Sequence, residues 1–288
     1  MERMAIGMEF ATLNNGLKMP MAGIGTFLLS PDEAEASVLA ALEGGYRLID
    51  TANAYVNEKA VGRAMKKSGL KREEIFLETK LWPSFYENDD AVDKTLERLG
   101  TDTIDLLLIH QPAGNYVAGY RQMEKAYKEG KVKAIGLSNF NQGQIEEILG
   151  LCQVKPAVLQ RGSPLLPGAG AEEVPQQRGH GHPGLVPPGP RGQGAAGGAS
   201  LHGAWKRNTA RPTPQIILRW HIQDGNIVIP GSKNPAHIKD NFDLFDFSLT
   251  EEEMEKIAAL DKNTRYYTST PEMLEMYAKT VPDVDGQK

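Results

Sequence analysis

The sequence predicts an α/β protein, a closed (β/α)8 barrel of the TIM type that residues 1–288 form as a single domain. Short, almost wholly apolar runs alternate with helical patterns at intervals of roughly 25–30 residues, as parallel strands joined by helices do. So many repeats in one chain favour a closed barrel over an open, doubly wound sheet. Gly23 and Gly25 are not followed by a third glycine before a helix, which argues against a Rossmann dinucleotide fold.

The composition excludes several classes of protein. Apolar residues make up 40% of the chain and charged residues 24%, which suits a globular core. The single Cys152 excludes a disulfide framework, and no strand end carries the histidines and carboxylates of a metal site. No apolar run reaches the ~20 residues that span a bilayer. The net charge of −5 offers no electrostatic footprint for nucleic acid or a membrane, so we expect a cytoplasmic protein without these partners.

The individual elements follow from local signals. The Asn-Asn-Gly turn at residues 14–16 predicts a hairpin ahead of the first buried strand. Ser30 as N-cap and Pro31 at the first helical position begin the first helix, and Gly44 ends it. Glycines end the next four helices in the same way. The predicted strands are 21–27, 46–51, 75–81, 104–110, 132–137, 157–160 and 226–230, and the predicted helices are 31–43, 58–68, 89–99, 120–129, 142–149, 215–222, 235–242 and 250–260.

The alternation fails between Arg161 and Pro214. This Gly/Pro-rich segment of 54 residues holds 12 of the 30 glycines and 9 of the 18 prolines, and it contains no Ile, Phe, Tyr, Met or Asp. Proline removes backbone donors and glycine supplies no packing surface, so we expect neither a barrel strand nor a helix face here. One strand of the barrel, with its adjacent helix and loop, is therefore expected to be irregular.

Four polar residues lie at or just after the ends of predicted strands. Asp50, Lys80 and His110 each stand at a strand end, and Tyr55 follows in a loop. The carboxyl ends of barrel strands converge on one face, where the active sites of this fold are built. A lysine held by a carboxylate and placed beside a phenol favours the phenolate, and so prepares a tyrosine to act as a general acid near neutral pH.

Each of these residues also has a structural explanation when it is taken alone. Asp50 can cap the following loop, Lys80 can extend its ammonium to the surface, and His110 can be a hydrogen-bonded core histidine. Tyr55 can be an ordinary loop aromatic. What favours a catalytic role is that all four residues follow consecutive predicted strands in order.

Longer stretches resemble the aldo-keto reductases, in particular the bacterial-type branch that includes diketogluconate and methylglyoxal reductases. The resemblance covers about residues 8–160 and 215–275. It is carried by MAGIGTF, GYRLIDTANAYVNEKAVGRAM, IFLETKLWPS, LERLGTDTIDLLLIHQP, KVKAIGLSNF, QIILRW and IVIPGSKNPAHIKDNFDLFDFSLT.

This resemblance implies an enzyme that binds NADPH across the C-terminal face of the barrel. The enzyme passes a hydride from NADPH to the carbonyl carbon of a small-molecule aldehyde, ketone or dicarbonyl. Most members of the family are monomers, so we expect a monomer here. Tyr55 matches the family's proton donor, and Lys80 and Asp50 match the pair that tunes it. His110 matches the residue that orients the carbonyl, and Trp82 matches the rim of the substrate pocket. The implied cofactor-binding positions are Thr26, Asp50, Ser138, Asn139, Gln160, Ser232, Asn234, His237, Asp240 and Asn241.

Two positions near the expected cofactor phosphate depart from the family pattern. Gly231 stands where many relatives have lysine and His237 where many have arginine, and Lys233 is a candidate replacement cation. We therefore expect a weaker preference for NADPH than is usual. Taken alone, Ser138 and Asn139 also suit a turn, Asp240 and Asn241 suit a polar helix face, and Trp82 suits simple packing.

The segment 161–214 departs from the family throughout, although its length is about what the family needs. Codons that fit residues 163–167 can encode HPYY when they are read one nucleotide later, and those for residues 183–194 can encode QAWYPLGHGDK. Both strings resemble what relatives carry here. In the remaining reading frame, codons that fit residues 205–212 can encode EKKYGKT, which also resembles the family. We interpret the segment as an out-of-frame reading of a reductase gene.

The leading hypothesis is an NADPH-dependent carbonyl reductase. The alternatives are a non-catalytic, cofactor-binding barrel and a defective paralogue. A binding module has no need of Lys80 beside Tyr55, which favours the enzyme. Retained cofactor binding without turnover would instead favour the non-catalytic barrel.

Overall fold

A computed structural model of the protein describes residues 7–161, 176–180, 211–259 and 269–287, and its centre is a sheet of parallel strands. An antiparallel hairpin, β1 (Phe10–Thr12) and β2 (Lys18–Pro20), precedes the sheet. The strands of the sheet are β3 (Ile24–Gly25), β4 (Leu48–Asp50), β5 (Phe76–Leu81), β6 (Leu106–Ile109), β7 (Ile135–Ser138), β8 (Leu159–Arg161), β9 (Gln176–His180) and β10 (Ile227–Pro230).

The sheet closes on itself. Neighbouring strands follow chain order from β3 to β10, and every pairing between them is parallel. The chain just before β3 also pairs with β10, because Gly23 N donates to Val228 O at 2.8 Å and Val228 N donates to Met21 O at 2.9 Å. This closure confirms the predicted (β/α)8 barrel.

The described helices lie between the strands from β3 to β8, between β9 and β10, and beyond β10. They are α1 (Pro31–Glu43), α2 (Glu58–Lys67), α3 (Ala91–Leu99), α4 (Tyr116–Lys128), α5 (Gln142–Leu151), α6 (Thr213–Gln223), α7 (Pro235–Phe242), α8 (Glu251–Ala258) and α9 (Pro271–Lys279). α1 has the predicted bounds, with Ser30 and Glu33 in a capping box. α4 begins four residues before its predicted start because Asn115 caps it, accepting from Ala118 N. α9 was not predicted, and Thr270 caps it.

Within the segment 161–214, the described residues Gln176–His180 pair with the sheet as β9. β9 pairs with both neighbours, with Gln177 in register with Gln160 on one side and Ile227 on the other. This stretch lies in the proline-free run between Pro175 and Pro183, so every residue of it keeps the backbone N–H that a ladder needs. Thr213 and Pro214 also belong to α6 rather than to an irregular loop. The out-of-frame interpretation is based on residues 163–167, 183–194 and 205–212. All of these except residues 211 and 212 lie outside the described part of the chain.

Apolar side chains form two layers because alternate residues of a strand face opposite sides of the sheet. Ile49, Leu77 and Ile109 belong to the layer between the strands and the helices. Leu48 and Phe76 belong to the layer that fills the barrel. By the same alternation, the side chains of Asp50 in β4 and of Glu78 and Lys80 in β5 also face the inside of the barrel. They lie nearer the carboxyl ends of the strands than Leu48 and Phe76 do.

The N-terminal hairpin covers the amino ends of the strands. Leu13 and Met19 join the inner apolar layer, and Asn15 Nδ2 donates to Lys133 O at 2.8 Å. The polar strand ends therefore lie on the opposite face of the barrel. Among the helices in the ranges given above, none has the length and apolar character needed to cross a membrane.

Candidate active site

The four predicted catalytic residues come together at the carboxyl ends of the strands. Asp50 ends β4, Lys80 lies in β5, His110 directly follows β6, and Tyr55 ends a 3-10 turn after β4. Lys80 Nζ donates to a carboxylate oxygen of Asp50, to Thr51 O at 2.9 Å and to the Tyr55 hydroxyl oxygen at 3.4 Å. Lys80 is 1% exposed, which excludes the explanation of a surface lysine.

The charges around Tyr55 act in opposite directions. Burial raises the pKa of Tyr55 to about 12, Lys80 lowers it, and Asp50 and Glu78 raise it further. From the sequence, the Lys80 cation was expected to prevail and favour the phenolate. Burial outweighs it, so the phenol is protonated at neutral pH. Burial lowers the pKa of Lys80, yet the attraction of Asp50, Tyr55 and Glu78 raises it above its usual range, so the lysine is charged.

His110 is a neutral side chain between two aromatic rings. Its ring centroid lies 5.5 Å from that of Tyr55 and 5.1 Å from that of Trp82, both in edge-on contact. Burial lowers the pKa of His110 well below its usual range, and the charge of Lys80 lowers it further. In the part of the chain described, no protein group hydrogen-bonds to its buried Nδ1. A neutral imidazole offers one donor and one acceptor to a bound molecule.

Trp82 lies at the edge of this group and contacts the C-terminal tail. Its Nε1 donates to Thr280 O at 2.8 Å, and its ring meets that of Tyr277 at 5.3 Å. On the opposite side, the exposed Phe27 contacts the Tyr55 ring at 5.1 Å. Phe27 thus contacts Tyr55, Trp82 contacts His110, and Tyr277 packs behind Trp82.

Buried polar contacts fix the turn that carries Tyr55. Asn53 Nδ2 donates to Glu58 Oε1 at 3.0 Å, and Asn53 Oδ1 accepts from Trp82 N at 3.3 Å. Glu58 also forms a buried ion pair with Arg98, in which Nε lies 2.7 Å from Oε2. The turn and the aromatic edge are therefore held by one network.

Ser138, Asn139 and Gln160 form a second cluster at the ends of β7 and β8. Ser138 Oγ donates to Gln160 Oε1 at 3.4 Å, and Asn139 Nδ2 donates to Ser138 Oγ at 3.1 Å and to His110 O at 3.2 Å. Gln160 Nε2 donates to Asp50 Oδ1 at 3.3 Å, which joins this cluster to the group around Lys80. The hydroxyl, amide N–H and amide C=O together match a carboxamide, which has one acceptor and two donors.

Thr26 lies within the protein beside this group. It is fully buried, and its hydroxyl is 3.1 Å from Asp50 O and 3.3 Å from Asn57 Oδ1. Asn57 Nδ2 donates in return to Thr26 O at 3.0 Å. The contacts of Thr26 thus hold the end of β3 against that of β4.

The remaining predicted positions lie in the turn before α7 and along that helix, where Asp240 and Asn241 are in its last turn. Ser232 Oγ accepts from Asn234 N at 3.1 Å, and Asn234 Oδ1 accepts from Ala236 N at 3.0 Å, which caps the helix. Backbone N–H groups at such a helix start suit a phosphate. The buried members are Ser232 and Asn241, and the exposed ones are Asn234, His237 and Asp240. None of the hydrogen bonds described for these positions reaches Tyr55 or Lys80.

Lys233 lies in the same turn, held by an ion pair. Its Nζ lies 2.9 Å from Glu33 Oε1 in the first turn of α1. The hydrogen bond from Lys233 is the main reason that the pKa of Glu33 falls to about 2. The Lys233 ammonium is therefore next to the start of α7. Gly231 and His237, at which the resemblance led us to expect a lysine and an arginine, lie in the same region.

Sequence reasoning missed Glu78, which is fully buried and accepts from Gln160 Nε2 at 3.0 Å. The signal was available, because Glu78 is two residues before Lys80 and strand side chains alternate with period two. It also missed the tail contact at Thr280, which no local pattern reveals. Among the described residues, no three His, Cys, Asp or Glu side chains are grouped to hold a metal ion.

Comparisons with known proteins agree on one family. The model of the Aldo/keto reductase family matches residues 21–178 and 162–262. An aldo-keto reductase of Mycobacterium sp. (strain MCS) is 42% identical over 278 residues, covering 91% of this chain and 94% of that protein. Glyoxal reductase of Bacillus subtilis (strain 168) is 40% identical over 268 residues, covering 91% of this chain and 96% of that protein.

Solved structures agree with the sequence comparisons. An aldo/keto reductase from Brucella melitensis superposes with a TM-score of 0.77 at 38% identity, over 88% of this chain and 100% of the other. The aldose reductase of Schistosoma japonicum superposes with a TM-score of 0.78 at 32% identity, over 90% of this chain and 94% of the other.

Proposed function

This chain belongs to the aldo/keto reductase family of oxidoreductases, and on that basis we propose that it uses NADPH to reduce small-molecule aldehydes, ketones or dicarbonyls to alcohols. The observation that carries the proposal is the hydrogen-bonded series Asp50–Lys80–Tyr55 beside His110. When it is bound, NADPH supplies the hydride.

Tyr55 is the proton donor in this proposal. Because its pKa is about 12, raised mainly by burial, its hydroxyl holds a proton at neutral pH and can give it to the carbonyl oxygen. The Lys80 ammonium, 3.4 Å from that hydroxyl oxygen, stabilises the phenolate that remains. Asp50 and the carbonyl of Thr51 hold the ammonium in place.

His110 orients the substrate. Its depressed pKa, due to burial and to Lys80, keeps the ring neutral, so a ring N–H can donate to the carbonyl oxygen without placing a second positive charge beside Lys80. Two donors, from Tyr55 and His110, then meet at one oxygen, where negative charge develops. Trp82 bounds the space occupied by the substrate.

The cofactor would be held at two places. Ser138, Asn139 and Gln160 would bind its carboxamide, since their hydroxyl and amide groups are of the kinds that pair with the donors and the acceptor of a carboxamide. The turn before α7, with Ser232, Asn234 and Lys233, would bind the phosphate of the adenosine end through the helix start and a cation. The proposal extends to the adjacent positions Thr26, His237, Asp240 and Asn241.

The net charge bears on which partners the protein has and where it acts. A net charge of −5 supports action on small molecules rather than on nucleic acid or membranes. We propose a cytoplasmic monomer. The name of the Bacillus subtilis relative, glyoxal reductase, supports a dicarbonyl as the first substrate to try.

The test is an assay of the purified chain for carbonyl-dependent oxidation of NADPH, with glyoxal, methylglyoxal, an aromatic aldehyde and a simple ketone. Calorimetry measures NADPH binding separately. We expect binding and turnover with at least one carbonyl. Binding without turnover of any of them supports a non-catalytic barrel, and the absence of both binding and a cooperative thermal transition supports a defective paralogue.

A further inference from the structure

A second carboxylate lies inside the barrel, beneath the catalytic group. Glu78 is 0% exposed and lies in β5 two residues before Lys80, so its side chain is on the same inner side of the strand. It is in register with Asp50 on β4. Two acidic side chains directly opposite each other on neighbouring strands repel, so the pair needs a group between them.

Gln160 supplies that group. Its Nε2 donates to Glu78 Oε1 at 3.0 Å and to Asp50 Oδ1 at 3.3 Å. An amide nitrogen has two hydrogens, and these two acceptors use both. The Gln160 Oε1 must then face the other way, where Ser138 Oγ donates to it at 3.4 Å. The orientation of the amide is thus set by the two carboxylates together.

We propose that Glu78 is a positioning residue for carbonyl reduction: it fixes the Gln160 amide for the cofactor carboxamide and places a second negative charge beneath Lys80 and Tyr55. This inference rests on the proposed function, because Gln160 acts through the cofactor that the function requires. It adds a residue that neither the catalytic four nor the expected cofactor positions include.

The charge effect has a definite direction. Among the residues that the structure describes, the titratable groups that act on Tyr55 or contact its ring are Lys80 and Glu78 from β5, Asp50 from β4 and His110 after β6, and His110 is neutral. Burial is the largest influence that raises the pKa of Tyr55, and Asp50 and Glu78 add to it against Lys80. Removal of the Glu78 charge should therefore lower that pKa and increase the phenolate fraction at any pH below it.

Two variants separate the hydrogen bond from the charge. Glu78→Gln keeps an oxygen that can accept from Gln160 Nε2 but removes the charge. Glu78→Leu removes both. The matched control is Asp105→Asn, which alters a buried carboxylate at the amino end of β6, where its partners are Arg72 and Lys133.

The first measurement is alcohol oxidation with NADP⁺ at several fixed pH values, since this direction needs the phenolate of Tyr55 as base. We expect Glu78→Gln to raise the rate at each alkaline pH by about three- to tenfold, because one pH unit of pKa is tenfold in phenolate. Asp105→Asn should leave the rates unchanged. An unchanged pH profile in Glu78→Gln, with an active wild type, would overturn the charge assignment and leave the proposed function standing.

The second measurement is NADPH affinity by calorimetry, together with the thermal unfolding temperature. We expect wild-type affinity in Glu78→Gln and affinity about tenfold weaker in Glu78→Leu, the loss of one oriented hydrogen bond of ~1.4 kcal/mol. Equal affinity in a folded Glu78→Leu overturns the positioning role, and so does a loss of affinity in Glu78→Gln with unchanged unfolding temperature. If Glu78→Leu does not fold, Glu78→Gln decides. Binding can be measured even if the wild type turns over no carbonyl.

Discussion

The ammonium of Lys80 lies 5.0 Å from the centre of the Tyr55 ring and donates to its hydroxyl oxygen at 3.4 Å. The contact does not make the phenol acidic, because burial keeps its pKa at about 12. The contact matters after the proton has been transferred, because the ammonium of Lys80 then attracts and stabilises the negatively charged phenolate of Tyr55. The pair therefore suits a proton donor whose product state is stabilised.

Replacement of Tyr55 by phenylalanine tests the proton donor. We expect Tyr55→Phe to lower carbonyl reduction by roughly 100- to 10,000-fold, the usual contribution of a general acid, with NADPH affinity close to that of the wild type. The control is Tyr120→Phe, which removes a hydroxyl that donates to Val154 O at 2.8 Å on the outer layer. It should cost ~1 kcal/mol of stability and no activity. Wild-type turnover in Tyr55→Phe would contradict the assignment.

Separate and combined replacement of Asp50 and Lys80 tests the buried ion pair. Asp50→Asn leaves a buried ammonium without its carboxylate, and we expect a loss of ~3–5 kcal/mol in the free energy of unfolding. The double variant with Lys80→Met should lose less than the sum of the two single changes, because the unpaired charge is gone. Asp90→Asn, in an exposed pair with Lys94, should cost under ~1 kcal/mol. Additive losses would show that the pair is not coupled.

The buried His110 should make stability fall in acid. Its folded-state pKa lies below the unfolded value, so the unfolded state binds more protons as the pH drops below about 6.5. The free energy of unfolding then declines by up to ~1.4 kcal/mol per pH unit until the folded-state pKa is reached. We expect His110→Gln to decline less steeply between pH 6.5 and pH 5, a window above the carboxylate range. Denaturant titrations across that window provide the measurement, and parallel slopes would refute the prediction.

Lys233 tests the expected preference for NADPH. We expect Lys233→Met to weaken NADPH binding about tenfold, the loss of one charged hydrogen bond of ~1.5 kcal/mol, and to leave NADH binding unchanged. Lys256→Met, in another exposed ion pair, is the control and should change neither affinity. Calorimetry with both nucleotides makes the measurement. Equal weakening for the two would place the role of Lys233 elsewhere than at the extra phosphate.

Local signals predicted the elements best where the cause is itself local. Ser30 as N-cap and Pro31 at the first helical position placed the start of α1, where the structure shows Ser30 and Glu33 in a capping box. Glycine and proline content averaged over the segment 161–214 carried no signal for the backbone pairing of residues 176–180. A strand needs only a few consecutive N–H groups and two neighbours to pair with, and those neighbours are distant in sequence.

The site was predicted in part for the same reason. Strand ends converge in a barrel, so residues such as Asp50 and Lys80 could be placed together from their positions alone. The hydrogen bond of Trp82 to Thr280 joins positions 198 residues apart, and nothing in either local pattern indicates it. Glu78 had a periodicity signal, but its partner Gln160 is 82 residues away.

By itself, the sequence determined the barrel, the order of its strands and the polar residues at their ends, because periodicity, caps and turns act between near neighbours. Only the tertiary structure decided that Gln160 bridges two carboxylates and that burial outweighs the lysine at Tyr55. Desolvation depends on every strand that surrounds a group, and a balance between burial and charge exists only once those strands have closed into a barrel.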